Sequence, residues 1–158
     1  MPILSTQNWL DYYSNSFAVQ PVSVALPMLN TNNFQSNVAT TVFTDQLLIG
    51  ESNAAVATWR SWVKPDFSSI PASRRFISAV LNLVPITDAS SNARTMSAHH
   101  CLRATVGAQA TWNIYSTGNN WGTAGASNST TDYDGATALG TMAVPASPTL
   151  NVAMPMTF

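Results

Sequence analysis

A strict alternation of apolar residues near the middle of the chain most constrains the fold. Ile77, Ala79, Leu81 and Leu83 occupy every second position of residues 77–84. Successive side chains of a β-strand point to opposite faces of a sheet, so this row predicts an apolar stripe on one face. Ahead of it, residues 66–71 combine Asp, Ser and Pro, which is typical of an ordered turn. The pattern predicts a strand, a turn and a buried strand that needs a covering layer.

Other segments have strand-like patterns, and none has a long helical period. The further strand candidates are residues 38–49, 54–64, 96–106 and 150–158, with turn residues between them. In residues 96–106 the even-numbered positions, from Met96 through His100 to Val106, form a second apolar row. The Asn-rich residues 30–36 predict a turn. Together these segments predict an all-β fold, a jelly-roll-like antiparallel β-sandwich with an extended N-terminal arm.

The N-terminal region differs in composition from the rest. We predict that residues 1–30 form an arm or docking segment and residues 31–158 form the β-sandwich domain. Pro21 and Pro27 confine an extended segment to a sheet edge or to the surface of another molecule. A short helix, or ordinary packing of the arm onto its own core, is the alternative. The residues predicted to serve the arm in assembly are Trp9, Tyr12, Tyr13 and Phe17.

The scarcity of charged residues indicates a surface suited to contact with other subunits. Only 8% of the 158 residues are charged, against roughly 25% in an average soluble domain. Lys64 and Glu51 are the single lysine and the single glutamate of the sequence. Lys and Glu are depleted from protein interfaces, so a chain that barely uses them fits an assembly. A β-rich protein with a generic Ser/Thr-rich surface is the alternative interpretation.

The charge and hydropathy patterns also argue against several partners. The formal net charge is -1 and the arginines are scattered, so we expect no binding to nucleic acid. No apolar run approaches the roughly 18 residues that a membrane span requires, and residues 1–10 do not resemble a secretory signal peptide. We therefore expect a protein made in the cytoplasm that does not bind membranes.

The residues able to carry chemistry are few. His99, His100 and Cys101 are adjacent, but neighbouring strand residues face opposite ways, and satisfied strand histidines beside a small buried cysteine are the better interpretation. Asp132 and Asp134 could offer oxygen ligands to Ca²⁺, but the spacing of a calcium loop is absent, so a capped turn is preferred. We predict no catalytic, cofactor-binding or metal-binding residues, no cofactor, and no enzymatic activity.

A loop rich in aromatic residues, residues 110–134, is the best candidate for a binding surface. Its large rings stand among Gly, Asn, Ser and Thr, which offer little apolar surface of their own. Rings that stack on sugars beside amides and carboxylates that bond hydroxyls would form a glycan site. The alternative is that the tryptophans cap the sandwich core. The predicted glycan or partner contacts are Trp112, Tyr115, Trp121, Asp132 and Asp134.

Two stretches carry a family resemblance. KPDFSSIP at residues 64–71, followed by ISAVLNLV at residues 77–84, resembles the DNRLRE (disaggregatase-related) β-sandwich domains, and the aromatic loop resembles a later motif of the same family. The resemblance covers residues 47–134. Pro65 departs from it, because the family usually has a strand Phe there. The family pattern also continues through further strands after the second motif, so we expect residues 22–26 or 150–158 to pair across a subunit boundary.

The resemblance implies a jelly-roll-like module of the kind found in surface proteins, carbohydrate-active enzymes and tailed-phage virions. We predict a non-catalytic virion structural protein of a tailed phage, a capsid decoration protein or head fibre that docks through its arm. The expected partners are other virion proteins such as the major capsid protein, and copies of the chain, with a trimer favoured. A carbohydrate-binding or adhesin module that binds a host or environmental glycan is the alternative. A glycan hydrolase is a third hypothesis, without a carboxylate pair to support it.

Overall fold

The computed structural model describes residues 24–44, 47–51, 57–72, 77–87 and 92–158. Within these ranges the chain forms β-strands and one turn of 3-10 helix at Ser36–Val38. All the paired strands run antiparallel, so the predicted all-β antiparallel fold is confirmed. The jelly-roll connection stays a prediction. The strands are β1 (Met28–Gln35), β2 (Gly50–Glu51), β3 (Thr58–Pro65), β4 (Val80–Leu83), β5 (Arg94–Ala98), β6 (Ile114–Ser116), β7 (Asn119–Asn120), β8 (Gly140–Val144) and β9 (Met154–Thr157).

The first sheet has the order β1-β3-β2. Strand β3 confirms the strand predicted in residues 54–64, and its Trp, Val and Thr residues favour extended backbone. The turn predicted after it is also confirmed, because the Ser68 N–H donates to Asp66 Oδ1 at 2.9 Å. Pro65, where the family resemblance departs, ends β3 opposite Met28, beside an irregularity in the pairing.

Strand β1 lies where the sequence predicted a turn. Residues 30–36 were expected to form a turn, yet nearly all of them belong to β1, where Asn32 lies opposite Trp62. Asn32 and Asn33 are both buried; the Asn32 amide donates to the distant Gly107 carbonyl, and Asn33 Oδ1 accepts a bond from Gln35 Nε2. The division expected at residue 30 falls inside this strand.

The strand predicted in residues 38–49 is wrong for the described residues, where Phe43 makes a single bridge to Asn33.

A second group of strands consists of two ladders, β5 with β8 and β4 with β9. The ladders lie side by side, because a Cβ at Gly140 of β8 would meet the Thr157 carbonyl of β9 at 2.6 Å. Their less exposed face carries Leu81, Leu83 and four methionines, and the opposite face of the β5–β8 ladder is mostly Thr and Ser. The four methionines are Met96, Met142, Met154 and Met156.

The central apolar row is only partly covered. Leu81 and Leu83 are half-buried, but Ala79 is exposed and Ile77 is 81% exposed. The prediction of a buried strand over residues 77–84 is therefore wrong at its first half. The sequence does alternate as described, but no layer of the described residues covers Ile77 and Ala79.

The apolar row predicted over residues 96–106 is wrong beyond Ala98. Strand β5 ends there, and the more buried positions change from even to odd numbers, so that His99, Cys101 and Thr105 are half-buried while His100 and Leu102 are exposed. The apolar alternation continues in the sequence to Val106. The extended strand backbone that would place those residues on one face ends at Ala98.

The terminal strand predicted over residues 150–158 is confirmed as β9 in its second half. Met156 is 2% exposed, whereas Leu150 and Val152 precede the strand and are exposed. β9 pairs with β4 of the same chain along one edge, and pairing of this segment across a subunit boundary stays a prediction. Of the other segment proposed for such pairing, residues 24–26 form no strand and residues 22–23 lie outside the described residues.

The core is small and aromatic. Phe34, Ala110 and Trp121 form its buried centre. The Trp121 ring meets the Phe34 ring edge-on at a centroid distance of 5.4 Å and the Tyr115 ring at 5.5 Å. Such aromatic contacts add about 0.5–1.5 kcal/mol each beyond the burial of area. The side chains packed around this centre are Trp62, Cys101, Trp112, Tyr115 and Ala126.

Candidate functional site

The aromatic loop, residues 110–134, places its central tryptophan inside the protein. Trp121 is 5% exposed, and its Nε1–H donates to the Thr111 carbonyl at 2.9 Å. A ring held in this way cannot stack on a sugar. The prediction of Trp121 as a glycan contact is wrong, and the alternative, a core tryptophan, is what the structure has.

Asp132 is the centre of hydrogen bonding in the loop. Its carboxylate is fully buried and accepts N–H bonds from Gly122 at 2.7 Å and from Thr123 and Asn128 at 3.1 Å each. Arg103 adds an ion pair from Nε at 3.3 Å. The carboxylate thus joins backbone donors from three positions of the loop to the Arg103 side chain. Asp132 holds the loop together and is not available to a ligand.

Burial and hydrogen bonding have opposite effects on the pKa of Asp132. Burial of the carboxyl would raise the pKa, because it disfavours the charged form. The hydrogen bonds from Gly122, Thr123, Asn128 and Arg103 favour the charged form and outweigh burial. The pKa of Asp132 therefore lies below the ordinary value of an aspartate, and the carboxylate is charged at neutral pH.

Gly125 lets the loop close against Trp112. Its φ of +77° favours glycine, and an added Cβ would lie 2.5 Å from the Trp112 ring. The Gly125 carbonyl accepts a bond from Arg60 Nη1 at 2.6 Å, and the Arg60 guanidinium lies 5.7 Å from the centre of the Trp112 ring. The first sheet is tied to the loop through this arginine.

The remaining predicted contacts are half-buried. Tyr115 lies under the Arg103 guanidinium at 5.4 Å, and Trp112 is held between Gly125 and Arg60. Asp134 is occupied at its carboxylate by the Ala136 N–H at 3.0 Å, which is the capped turn that the sequence favoured. These three side chains keep some accessible surface, and each has a separate set of contacts within the chain. The predicted arm residues, Trp9, Tyr12, Tyr13 and Phe17, lie outside the described residues.

His99 and Cys101 are both engaged within the chain. The His99 Nδ1 lies 2.8 Å from the Asp134 carbonyl, and its ring packs edge-on against Tyr133 at 5.1 Å. The Cys101 Sγ lies 3.4 Å from Thr105 Oγ1. The described residues contain no group of three or more His, Cys, Asp or Glu side chains placed to hold a metal ion.

A shallow groove of about 370 Å³ lies in the surface of the aromatic loop itself. Exposed Asn113, Asn120 and Thr123 line it, with Gly122, Ala124 and the rim of Trp121. Its surface is mainly polar, and it holds no cluster of titratable groups.

The sequence interpretation missed the two arginines that hold the loop. Arg60 and Arg103 were counted only as scattered charges, yet Arg60 reaches a loop residue 65 positions away and Arg103 reaches one 29 positions away. No local spacing links such partners, so the sequence carries no signal that would have identified them.

Comparison of the chain with protein-family models, curated proteins and solved structures finds no match. Among the residues that the structure describes, no helix is long and apolar enough to cross a membrane.

Proposed function

We propose that this protein is a non-catalytic structural subunit that works within an assembly. The observation that carries the proposal is the exposed apolar surface around β4 and the segment before β9. Soluble monomers rarely expose large contiguous apolar patches, and where such a patch occurs it commonly marks an interaction site. The exposed side chains there are Ile77 (81%), Val80 (52%), Val84 (51%), Ile86 (58%), Leu150 (43%) and Val152 (51%).

The composition supports the same proposal. With 8% charged residues, a single lysine and a single glutamate, the chain has few of the side chains that resist burial at interfaces. Its polar loop is fastened internally by Asp132, so the loop can present a fixed surface to a neighbour. A rigid surface loses little conformational entropy when it binds.

The assembly that we propose is the virion of a tailed phage, with the chain as a decoration protein or head fibre in a jelly-roll-like domain. The resemblance of residues 64–84 and 110–134 to DNRLRE domains supports this context. The partners would then be the major capsid protein and further copies of this chain.

The composition of purified particles tests this proposal. Quantitative mass spectrometry of particles would give the number of copies of this chain relative to the main shell protein. We expect a fixed ratio, near one or a simple fraction for a decoration protein, and a few copies for a fibre. Absence of the chain from the particles would contradict the proposal.

A second candidate, glycan binding, is favoured only by the groove in the surface of the aromatic loop. Its exposed Asn113, Asn120 and Thr123 offer amide and hydroxyl groups that could bond sugar hydroxyls. A glycan array tests it with Asn113→Ala/Asn120→Ala against Thr141→Ala, an exposed position on β8, as the control. Binding that only the double variant loses would support the candidate, and an array without binding to the unaltered protein would dismiss it. Trp121→Ala does not serve here, because it removes a core side chain.

A further inference from the structure

One edge of β4 is open. Ala79 and Phe158 exchange backbone bonds, at 2.9 Å and 3.4 Å, which fixes the phase of the ladder that follows. In an antiparallel ladder the residues that bond to the partner alternate with residues that face away. Leu81 and Leu83 therefore bond to β9, while Val80 and Asn82 direct their N–H and C=O groups to the other side. Both are exposed, and among the described residues β4 pairs with β9 alone.

The open edge of β4 carries none of the usual protection. Proteins discourage edge pairing with charged side chains, Pro or bulges placed on the exposed strand. Residues 77–87 contain no charged residue, and their single proline, Pro85, lies beyond the strand. The outer edge of β9 is different: Pro155 removes an N–H there, and β8 lies against it at Gly140. The open edge thus has what another strand needs in order to pair with it.

The sequence of this edge identifies the partner strand. Residues 80–84 read VLNLV, which is the same in both directions about Asn82. When two copies of such a segment pair antiparallel, Val80 lies opposite Val84 and Asn82 lies opposite Asn82. Val suits a strand, two facing Asn amides can donate to and accept from one another, and no like charges meet. The residues that would bond across the pair, 80, 82 and 84, are the ones that face away from β9.

We infer that β4 pairs antiparallel with β4 of a second copy of this chain, about a two-fold axis at Asn82. The inference rests on the proposed function as an assembly subunit and names the surface and the partner. The pairing joins the β9–β4 ladders of the two copies into one sheet, so the half-buried Leu81 and Leu83 rows of both copies lie side by side. A contact of this type is isologous and closes on itself.

Neighbouring side chains enlarge the contact beyond one short strand. The Asn151 N–H donates to the Pro85 carbonyl at 2.8 Å, so Val84 and Ile86 lie near Leu150 and Val152. Val80 is exposed on the same face as Val84, so these side chains extend the apolar surface along the open edge. A second copy that pairs at this edge would therefore also cover exposed apolar side chains beside the strand.

A charge-exchange experiment tests the pairing. Asn82→Lys and Asn82→Asp each place like charges directly opposite one another at the axis, which is unfavourable, whereas a mixture of the two variants places opposite charges there. Ser97→Lys, at an exposed position of the edge strand β5, is the matched control. Sedimentation of the full chain across micromolar concentrations measures association, and circular dichroism verifies that each variant is folded.

We expect the unaltered protein and Ser97→Lys to form dimers or multiples of two. Each Asn82 variant alone should dissociate at least roughly tenfold more readily, and the mixture should recover mixed dimers. A monomeric or trimeric unaltered protein, folded Asn82 variants that associate like the unaltered protein, or a mixture without recovery would each overturn the inference. Particle composition is a separate measurement, so a protein that is monomeric in solution but present in virions would refute the pairing and leave the proposed function standing.

Discussion

At the scale of single residues, one buried carboxylate organises the polar loop. Asp132 accepts bonds from three backbone N–H groups and Arg103, all at least four residues away, and from the neighbouring Thr131 hydroxyl. Charged hydrogen bonds of this kind are stronger than neutral ones, and together they compensate the burial of the carboxylate. The hydrogen bonds to this one carboxylate therefore fix the conformation of the loop, as backbone hydrogen bonds between strands fix a sheet.

Asp132→Asn is expected to destabilise the protein by about 2–4 kcal/mol. The amide NH₂ would face backbone N–H donors, and Arg103 would lose its partner. Asp134→Asn is the matched control, because that carboxylate accepts one bond in an exposed turn and its loss should cost less than about 1 kcal/mol. Urea unfolding followed by tryptophan fluorescence measures both. Equal effects of the two substitutions would contradict the role given to Asp132.

Acid is expected to weaken the fold through the same carboxylate. The pKa of Asp132 is lower in the folded protein than the value of about 3.9 in an unfolded chain, because the hydrogen bonds to the carboxylate outweigh its burial. Its contribution to stability is complete above the unfolded value and is lost as the pH falls through the folded value. The free energy of unfolding of the unaltered protein should decrease below about pH 4, and that of Asp132→Asn should decrease less. Identical acid dependence of the two proteins would refute this assignment.

The sequence indicated some of these residue roles. TTDYDGA predicts a turn, and the Asp134 cap is the turn that was expected. The pattern gives no sign that Asp132 is buried, because its partners are mainly backbone N–H groups, which every residue type except proline carries. The same limit explains Trp121: a tryptophan among Asn and Gly looks exposed until Phe34, from a distant strand, is placed against it.

At the scale of elements, the contact between β8 and β9 joins the two ladders. Gly140 begins β8, and the Thr157 carbonyl and the Phe158 ring lie where its side chain would be. The phase of β9 in turn decides which residues of β4 face the open edge. Close approach of these strands is therefore a condition for the proposed pairing.

Gly140→Ala is expected to destabilise the protein by about 1–3 kcal/mol, because the added methyl group would overlap backbone that cannot rotate away. Thr141→Ala, the next residue and an exposed one, should change stability by no more than about 0.5 kcal/mol. Thermal unfolding of both variants measures the difference. Stability of Gly140→Ala equal to that of Thr141→Ala would show that the two ladders do not approach as closely as described.

Strand prediction succeeded where residue preference and pairing agree, and failed where they differ. β3 is rich in Trp and Val, and its strand could be predicted. β1 is rich in Asn, which favours turns, but pairing with β3 and the burial of Asn32 and Asn33 override that preference. Beyond Ala98 the apolar alternation persists in the sequence, but β5 has ended. Periodicity alone therefore predicted a strand face that the structure does not have.

At the scale of the whole molecule, the described chain leaves apolar surface uncovered. The core centre is three side chains, whereas Ile77, Ile86 and Val152 each expose more than half of their surface. The sequence predicted that one face of the central strand needs a covering layer. In the structure it is the edge of β4 opposite β9 that no described residue covers. Apolar edges of this kind are stable in solution when another strand covers them.

Hydrogen exchange at the amides of β4 tests most directly whether a second copy completes this edge. The amides of Leu81 and Leu83 bond to β9 within the chain, so they should be protected at every protein concentration. The amides of Val80 and Asn82 face the open edge, so their protection should rise with concentration and disappear in Asn82→Lys. Rapid exchange of Val80 and Asn82 at all concentrations, in a protein whose Leu81 and Leu83 are protected, would contradict the account.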